Sequence, residues 1–96
     1  MKKANEQTIK EVINLMLETF KIKDKYLETS VLTHWERIMG KTISSRTTEI
    51  YIRNKKLFIR INSAALKQEL VQSKGKIIQL INEEMSAEVI KEVVFI

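Results

Sequence analysis

The stretch that decides the fold of this chain is Thr48–Ile61, which reads TEIYIRNKKLFIRI. Apolar and polar residues alternate along 48–53 and again along 56–61, and this is the period of a half-buried β-strand. Asn54 and Lys55 stand between the two runs, and a two-residue loop that begins with Asn is typical of a tight turn. The stretch therefore predicts a β-hairpin that is closed by Asn54 and Lys55.

The two-residue turn also predicts which residues of the hairpin face each other. Ile52 pairs with Leu57 and Ile50 pairs with Ile59, so their side of the hairpin is predicted to be the core face. The other side carries the remaining pairs, which are Tyr51 with Phe58, Glu49 with Arg60 and Arg53 with Lys56. This second face is predicted to hold two aromatic rings among three basic residues and one acid.

Two helices are predicted before the hairpin. The first has its apolar residues at the spacing of one helix face and is expected to dock on the core through Ile9, Val12, Ile13, Met16, Leu17 and Phe20. The second is expected to start near Asp24 as an N-cap and to end at Gly40 in a left-handed conformation. Trp35 lies on its apolar side and is predicted to be a core residue, although tryptophan also anchors protein interfaces. From Ile43 onward, the repeat of the apolar residues is predicted to change from the 3.6 residues of a helix to the two residues of a strand.

The sequence after the hairpin predicts more helix and then one strand. Asn62 or Ser63 is expected to cap a helix that runs to about Met85. Its apolar stripe keeps phase through 73–76, which favours one long helix over two helices with a break there. The β-branched run 89–96 predicts a strand. If this strand is parallel to the second hairpin strand, the helical segment that connects the two strands can form a right-handed crossover.

These elements predict an α+β fold in the order α-α-β-β-α-β. A three-stranded sheet carries helices packed on one face, and residues 1–96 are expected to form a single domain of this kind. The order resembles the KH-type nucleic-acid-binding architecture in topology. The GxxG loop that defines KH domains is missing, because Ser73-Lys74-Gly75-Lys76 offers one glycine.

The composition argues against catalysis and against a membrane span. The 96 residues include no cysteine, which excludes disulfides, a thiol nucleophile and cysteine-bound zinc. His34 is the sole histidine, and no catalytic or metal-binding constellation accompanies it, so we expect neither an enzyme nor a cofactor nor a bound metal. No apolar run approaches the length of a membrane span, and the N-terminus lacks the pattern of a secretory signal. The expected location is the cytoplasm.

The net charge of +5 is concentrated in one part of the chain. Residues 41–76 hold nine basic side chains against Glu49 and Glu69, a net charge of +7. Lys and Arg neutralise phosphates and aromatic rings stack on unpaired bases, so this region predicts a nucleic-acid surface. Its predicted members are Arg46, Tyr51, Arg53, Lys55, Lys56, Phe58, Arg60, Lys67 and Lys74. The same ring pair is also compatible with burial by a partner protein or by a second copy of this chain. A third interpretation is a solvated basic face without a ligand, on which the ring pair only stabilises the hairpin.

A set of short motifs carries a resemblance to a known family. They are Trp35–Gly40 (WERIMG), Arg46–Thr48 (RTT), Lys56–Ile61 (KLFIRI), Leu66–Leu70 (LKQEL), Ile81–Glu84 (INEE) and the run Val89–Phe95. In this order and spacing, from about Thr8 to Ile96, the chain resembles the bacterial DciA family. The resemblance implies a KH-like domain that binds the hexameric replicative helicase and assists its loading onto DNA.

The chain departs from the family pattern in two respects. Some members carry a zinc ribbon or a basic disordered extension, whereas this chain has no cysteine for a ribbon and is expected to lack a tail after Ile96. The expected function is therefore a non-enzymatic replication factor that binds the helicase, with single-stranded DNA as a second expected partner. The alternative is an RNA-binding or protein-adaptor module without a direct role at DNA. The sequence leaves the oligomeric state open.

Overall fold

The structure is a computed structural model that describes the backbone of residues 2–96 and the side chains of residues 8–96. Its elements are α1 (Lys2–Thr33), α2 (Trp35–Met39), α3 (Lys41–Arg46), β1 (Thr47–Arg53), β2 (Lys56–Ile61), α4 (Ala64–Gln72), α5 (Lys74–Met85) and β3 (Glu92–Phe95). The strands form one sheet in the order β1-β2-β3. The predicted α+β class is confirmed, and the order of elements is consistent with the KH-like arrangement.

The hairpin has the register that the sequence predicts. β1 and β2 are antiparallel, with Ile50 opposite Ile59, Tyr51 opposite Phe58 and Ile52 opposite Leu57. Asn54 and Lys55 both have positive φ, at 52° and 59°. Both positions of the turn are thus in the left-handed region, as in the turns whose twist matches that of the flanking strands. Lys55 occupies this conformation at a cost of about 1–2 kcal/mol relative to glycine.

The last strand is parallel to β2 but shorter than predicted. It covers Glu92–Phe95 instead of 89–96, and Val93 lies opposite Leu57. Val89 and Ile90 are buried ahead of the strand, where the side chain of Asn82 binds the backbone. The Asn82 Oδ1 atom accepts from the N–H groups of Val89 and Ile90 at 3.0 and 3.1 Å, and its Nδ2 donates to the Ile90 carbonyl at 2.9 Å. These bonds replace the ladder bonds that an earlier strand start would supply.

The N-terminal helix differs most from the prediction. One continuous helix spans Lys2–Thr33, and Asp24 lies inside it instead of capping a second helix. Leu27 and Val31, near its end, reach the core. The predicted docking of the earlier apolar face is wrong, because each of those six side chains is about half exposed. The reason is geometric: a straight helix of 32 residues is about 48 Å long, and the core lies beside its last turns.

Between α1 and the sheet the chain forms two short helices. Trp35 is buried as predicted, and its Nε1–H donates to the Thr47 hydroxyl at 3.0 Å. This burial excludes Trp35 as an anchor for a partner protein. Gly40 has the expected positive φ of 89°, but its ψ of 163° is extended, and α3 follows at once. The predicted change to strand period at Ile43 is therefore wrong, since β1 begins at Thr47.

The helical region after the hairpin is two helices, so the predicted single helix is wrong. Ser63 caps α4 as expected, and its Oγ accepts from the N–H of Leu66 at 3.3 Å. The break lies at Ser73, whose φ and ψ of −114° and 22° end α4. Leu70 and Ile77 are buried on either side of the break. Their unbroken apolar phase is thus compatible with a break between two helices, which periodicity alone does not reveal.

The core lies between one face of the sheet and the helices. The buried apolar residues are Val31, Trp35, Leu57, Ile59, Ile61, Leu70, Ile77, Ile81, Val89, Ile90 and Val93. β2 is the central strand and contributes three of them. We call residues 27–96 the α/β body, because every one of these core residues falls within that range.

Replacing Asn82 with alanine tests the connection between α5 and β3. Asn82→Ala removes the partner of the Ile90 N–H and the Ile90 carbonyl, each of which costs about 1–3 kcal/mol when left unsatisfied, whereas the Val89 N–H keeps its bond to the Ala87 carbonyl. We expect the free energy of unfolding to fall by about 2–4 kcal/mol in urea titrations followed by circular dichroism. The control is Gln79→Ala on the exposed side of α5, with an expected change within about 0.5 kcal/mol. Equal stability of the two variants would contradict the assignment.

Candidate nucleic-acid interface

The outer sheet face is the side of the sheet turned away from the core. Side chains alternate across a strand, so the residues next to the buried Leu57 and Ile59 point outward. The face consists of Glu49, Tyr51 and Arg53 from β1, Lys56, Phe58 and Arg60 from β2, and Glu92 and Val94 from β3. It contains five of the nine predicted nucleic-acid-binding residues.

Tyr51 and Phe58 form the aromatic centre of this face. Their ring centroids are 4.8 Å apart and their planes differ by 12°, so the rings are stacked. Tyr51 is 38% exposed, and Phe58 is half-buried between its neighbours. Each ring covers one face of the other, which leaves the outward ring surfaces of the pair as the area on which a base can stack.

Two of the three cations on the outer sheet face are paired with acids. The Arg60 Nε lies 3.2 Å from a Glu49 carboxylate oxygen, and the Lys56 Nζ lies 3.7 Å from one of Glu92. Among the described side chains, no acid lies within ion-pair distance of Arg53. Exposed pairs of this kind contribute about 0–1 kcal/mol to stability, but they lower the positive potential that a phosphate meets. The net charge of the face is +1.

The predicted residue Lys55 does not belong to this face. Its Nζ donates to the Glu88 carbonyl at 3.3 Å and lies 4.0 Å from the Glu88 carboxylate. Its own carbonyl accepts from the N–H of Lys91 at 2.7 Å. Lys55 therefore connects the hairpin turn to the segment between α5 and β3.

Three other predicted residues lie at the opposite end of β2 from the turn. The Arg46 carbonyl accepts from the N–H of Asn62 at 2.9 Å, so Arg46 is next to the start of α4, and Lys67 follows in the first turns of that helix. The Lys74 Nζ lies 5.9 Å from the ring centroid of Phe95. Phe95 is the β3 residue opposite Ile59, on the core side of the sheet. The nine predicted residues thus form one cluster of five and two separate groups.

Glu92 also lies on the outer sheet face, a position that the sequence did not predict. The terminal apolar run gave no reason to assign one of its residues to either face, because its register with β2 was unknown. The signal that was available is that Glu92 is a charged residue inside that run. With β3 parallel to β2, this residue comes next to Lys56.

No metal site or membrane-spanning helix is found in the part of the chain that the structure describes. Its His, Asp and Glu side chains form no group of three that could hold a metal ion. None of its helices combines the length and apolar character needed to cross a membrane.

The fold defines the class of protein, a small α+β domain with a three-stranded mixed sheet. The family comparison then gives a particular assignment: the profile described as "Dna[CI] antecedent, DciA" matches residues 8–95. The chain belongs to the DciA family. Membership implies a role in DNA replication, at the loading of the helicase, and the family is not known for catalysis. No curated protein and no solved structure matches the chain.

A double-mutant cycle tests the stacked pair. We expect Tyr51→Ala and Phe58→Ala to show a coupling free energy of about 0.5–1.5 kcal/mol in unfolding, because each substitution removes the partner of the other ring. A control cycle combines Tyr51→Ala with Tyr26→Ala, an exposed tyrosine on α1, and should be additive within about 0.5 kcal/mol. Additivity in both cycles would mean that the rings do not stabilise each other.

Proposed function

We propose that this protein is a non-enzymatic replication factor that binds the hexameric replicative helicase and, through its outer sheet face, single-stranded DNA. The observation that carries the proposal is the family match over residues 8–95. The family's role in helicase loading supports the proposed helicase contact. The DNA contact is supported by the chemistry of the sheet face.

The outer sheet face has the two components that single-stranded nucleic acid requires. Tyr51 and Phe58 offer a stacking surface that accepts any base, and Arg53 offers a guanidinium that is not held by an acid. Arg46 and Lys67 lie beyond one end of the sheet, next to the start of α4, and would add positive charge there. No covalent chemistry is involved in this mode of binding.

The ion pairs of the face imply that DNA binding by the isolated protein is weak. A phosphate must compete with Glu49 for Arg60 and with Glu92 for Lys56. A weak contact of this kind becomes effective once the helicase holds the protein near the strand, because binding is then intramolecular at a high effective concentration. The helicase contact would therefore supply most of the affinity. The outer sheet face would add a weaker, local contact with the single-stranded DNA.

Light scattering on a chromatographed mixture tests the helicase contact. The protein is mixed with the replicative helicase of its own organism, and we expect a complex whose mass exceeds that of the free hexamer. The protein variant Tyr51→Ala with Phe58→Ala serves to separate the surfaces, since it should still form the complex if the sheet face is reserved for DNA. The absence of any complex between two folded proteins would overturn the helicase part of the proposal.

Salt dependence and ring removal test the DNA contact. Loss of Tyr51 or Phe58 should weaken the binding of a single-stranded oligonucleotide by about 1–3 kcal/mol for each stacked base. Affinity should fall with salt at a log–log slope of about −0.7 for each phosphate contacted. Arg53→Gln should reduce that slope, whereas Arg37→Gln removes the same charge from a residue paired with Glu84 on α5 and should leave it nearly unchanged. Fluorescence anisotropy gives both quantities, and a flat salt response would exclude the charge-based contact.

The acids on the sheet face provide a test in the opposite direction. Glu49→Gln combined with Glu92→Gln releases Arg60 and Lys56, so affinity for DNA should rise about tenfold at low salt. Glu36→Gln with Glu69→Gln raises the net charge by the same amount on α2 and α4 and should have a smaller effect. Equal gains from the two double variants would show that only the overall charge matters and that DNA does not contact the outer sheet face.

The paired cations also favour a second candidate, a protein-adaptor module. A face with a net charge of +1 and two stacked rings has the mixed character of a protein interface. An adaptor would bind its partner with little loss of affinity on Arg53→Gln but would lose affinity when Tyr51 is truncated.

Parallel titration with RNA and DNA of one sequence tests the RNA-binding alternative, because a contact that prefers RNA must use the 2′-hydroxyl.

A further inference from the structure

The first half of α1 carries an apolar stripe that nothing in the described part of the chain covers. Its members and their exposed fractions are Ile9 59%, Val12 48%, Ile13 50%, Met16 50%, Leu17 54% and Phe20 54%. Side chains of this size offer about 150–250 Å² each, so half exposure of six of them leaves about 600 Å² of contiguous surface. A patch of this size lies at the upper end of what single soluble proteins leave exposed and is typical of an interaction site.

The stripe lies on the same side of α1 as the residues that enter the core. Leu27 follows Ile9 by 18 residues, which is about five turns, so the two side chains point in the same direction from the helix axis. Val31 is fully buried on this side. The α/β body therefore covers the end of a continuous apolar face and leaves the remainder open.

The charges around the stripe favour a protein partner. Residues 8–25 hold Lys10, Lys21, Lys23 and Lys25 against Glu11, Glu18 and Asp24, a net charge of +1. Nucleic acids and anionic membranes attract strongly basic helices, and this segment is close to neutral. Glu11 and Glu18 lie on the polar side, where a membrane-binding helix would carry lysine. A near-neutral surface also allows two identical copies to approach each other.

We propose that a second copy of this chain covers the stripe, with the two α1 helices antiparallel about a two-fold axis. Two stripes bring together about 1,200 Å², which reaches the lower end of the range for specific protein interfaces. The stripe has the spacing of a two-stranded coiled coil, in which apolar residues recur alternately after four and three positions. The residues with this spacing are Ile9, Ile13, Met16 and Phe20, and their side chains can interdigitate with those of a second copy.

The position of the α/β body selects the antiparallel arrangement. The body lies on the stripe's side of α1, so in a parallel pair both bodies would occupy the same space between the two helices. In an antiparallel pair centred between Asn14 and Leu15, each body lies beyond the stripe of the other chain. The helices then overlap along 9–20, where the apolar residues are. The interface is isologous and closes at two copies.

The first test is the mass of the full chain over a concentration series in sedimentation equilibrium. We expect a dimer of twice 11.3 kDa at micromolar concentration that dissociates on dilution. Ile13→Glu with Met16→Glu places two charges in the stripe and should raise the dimer dissociation constant by at least about a hundredfold. These side chains do not reach the core, so the fold should remain, as circular dichroism would show.

The matched control is Leu15→Glu with Ile22→Glu. These residues are 66% and 68% exposed on the other side of the same helix, and the change in charge is identical. The control should keep the dimer. A monomer at all concentrations, or equal loss of the dimer in both double variants, would overturn the proposal and leave the stripe to a different protein.

The second test measures the orientation of the helices. The chain has no cysteine, so Asn14→Cys and Lys25→Cys each accept a single spin label at an exposed position. In the antiparallel dimer the two labels at 25 are displaced along the axis by about 30 Å, and the two at 14 by about 2 Å. Pulsed electron spin resonance should therefore give a distance longer by at least about 10 Å for position 25. Equal distances at the two positions would indicate a parallel pair and overturn the arrangement.

Discussion

The pairing of β1 with β2 in one particular register is the constraint on which the rest of the structure depends. Because side chains alternate, a slip of one residue would turn Leu57 and Ile59 out of the core and bring Phe58 into it. The turn at Asn54 and Lys55 holds the register through two positive φ angles. The residues of β3 then alternate between the two faces in step with their partners on β2. The helices pack on the apolar face of the sheet that these strands form.

Local chemistry explains why the hairpin could be predicted and the long helices could not. A two-residue turn and an alternating pattern are contained in consecutive residues, and so is the cap at Ser63. The division of the helical regions depends on distant contacts. The stripe on α1 has the spacing of a core helix whether or not a core lies beside it, and the break at Ser73 leaves the apolar phase unchanged. Periodicity specifies a face but not what covers the face.

The same distinction applies to the candidate site. The alternation along the hairpin assigned Tyr51, Phe58 and the basic residues between them to one face, and the structure agrees. Local charge density grouped Lys74 with them, although the fold directs it toward Phe95 on the other side. Glu92 is brought to Lys56 only by the parallel pairing of β3, which joins residues far apart in sequence. The net charge of the outer sheet face therefore depends on strand pairing and differs from the net charge of residues 41–76 in the sequence.

The mixed sheet also has a consequence for the order of folding events. The partners Tyr51 and Phe58 are separated by a short loop, so the hairpin closes at small entropic cost. Leu57 and Val93 are partners across 36 residues, and both helices α4 and α5 lie between them. We expect the parallel half of the sheet to form late, after the hairpin has presented β2 as a template. Until β3 pairs, the edge of β2 at Leu57 and Ile59 has unpaired backbone groups. The rate at which β3 pairs therefore determines how long another molecule can bind to that edge.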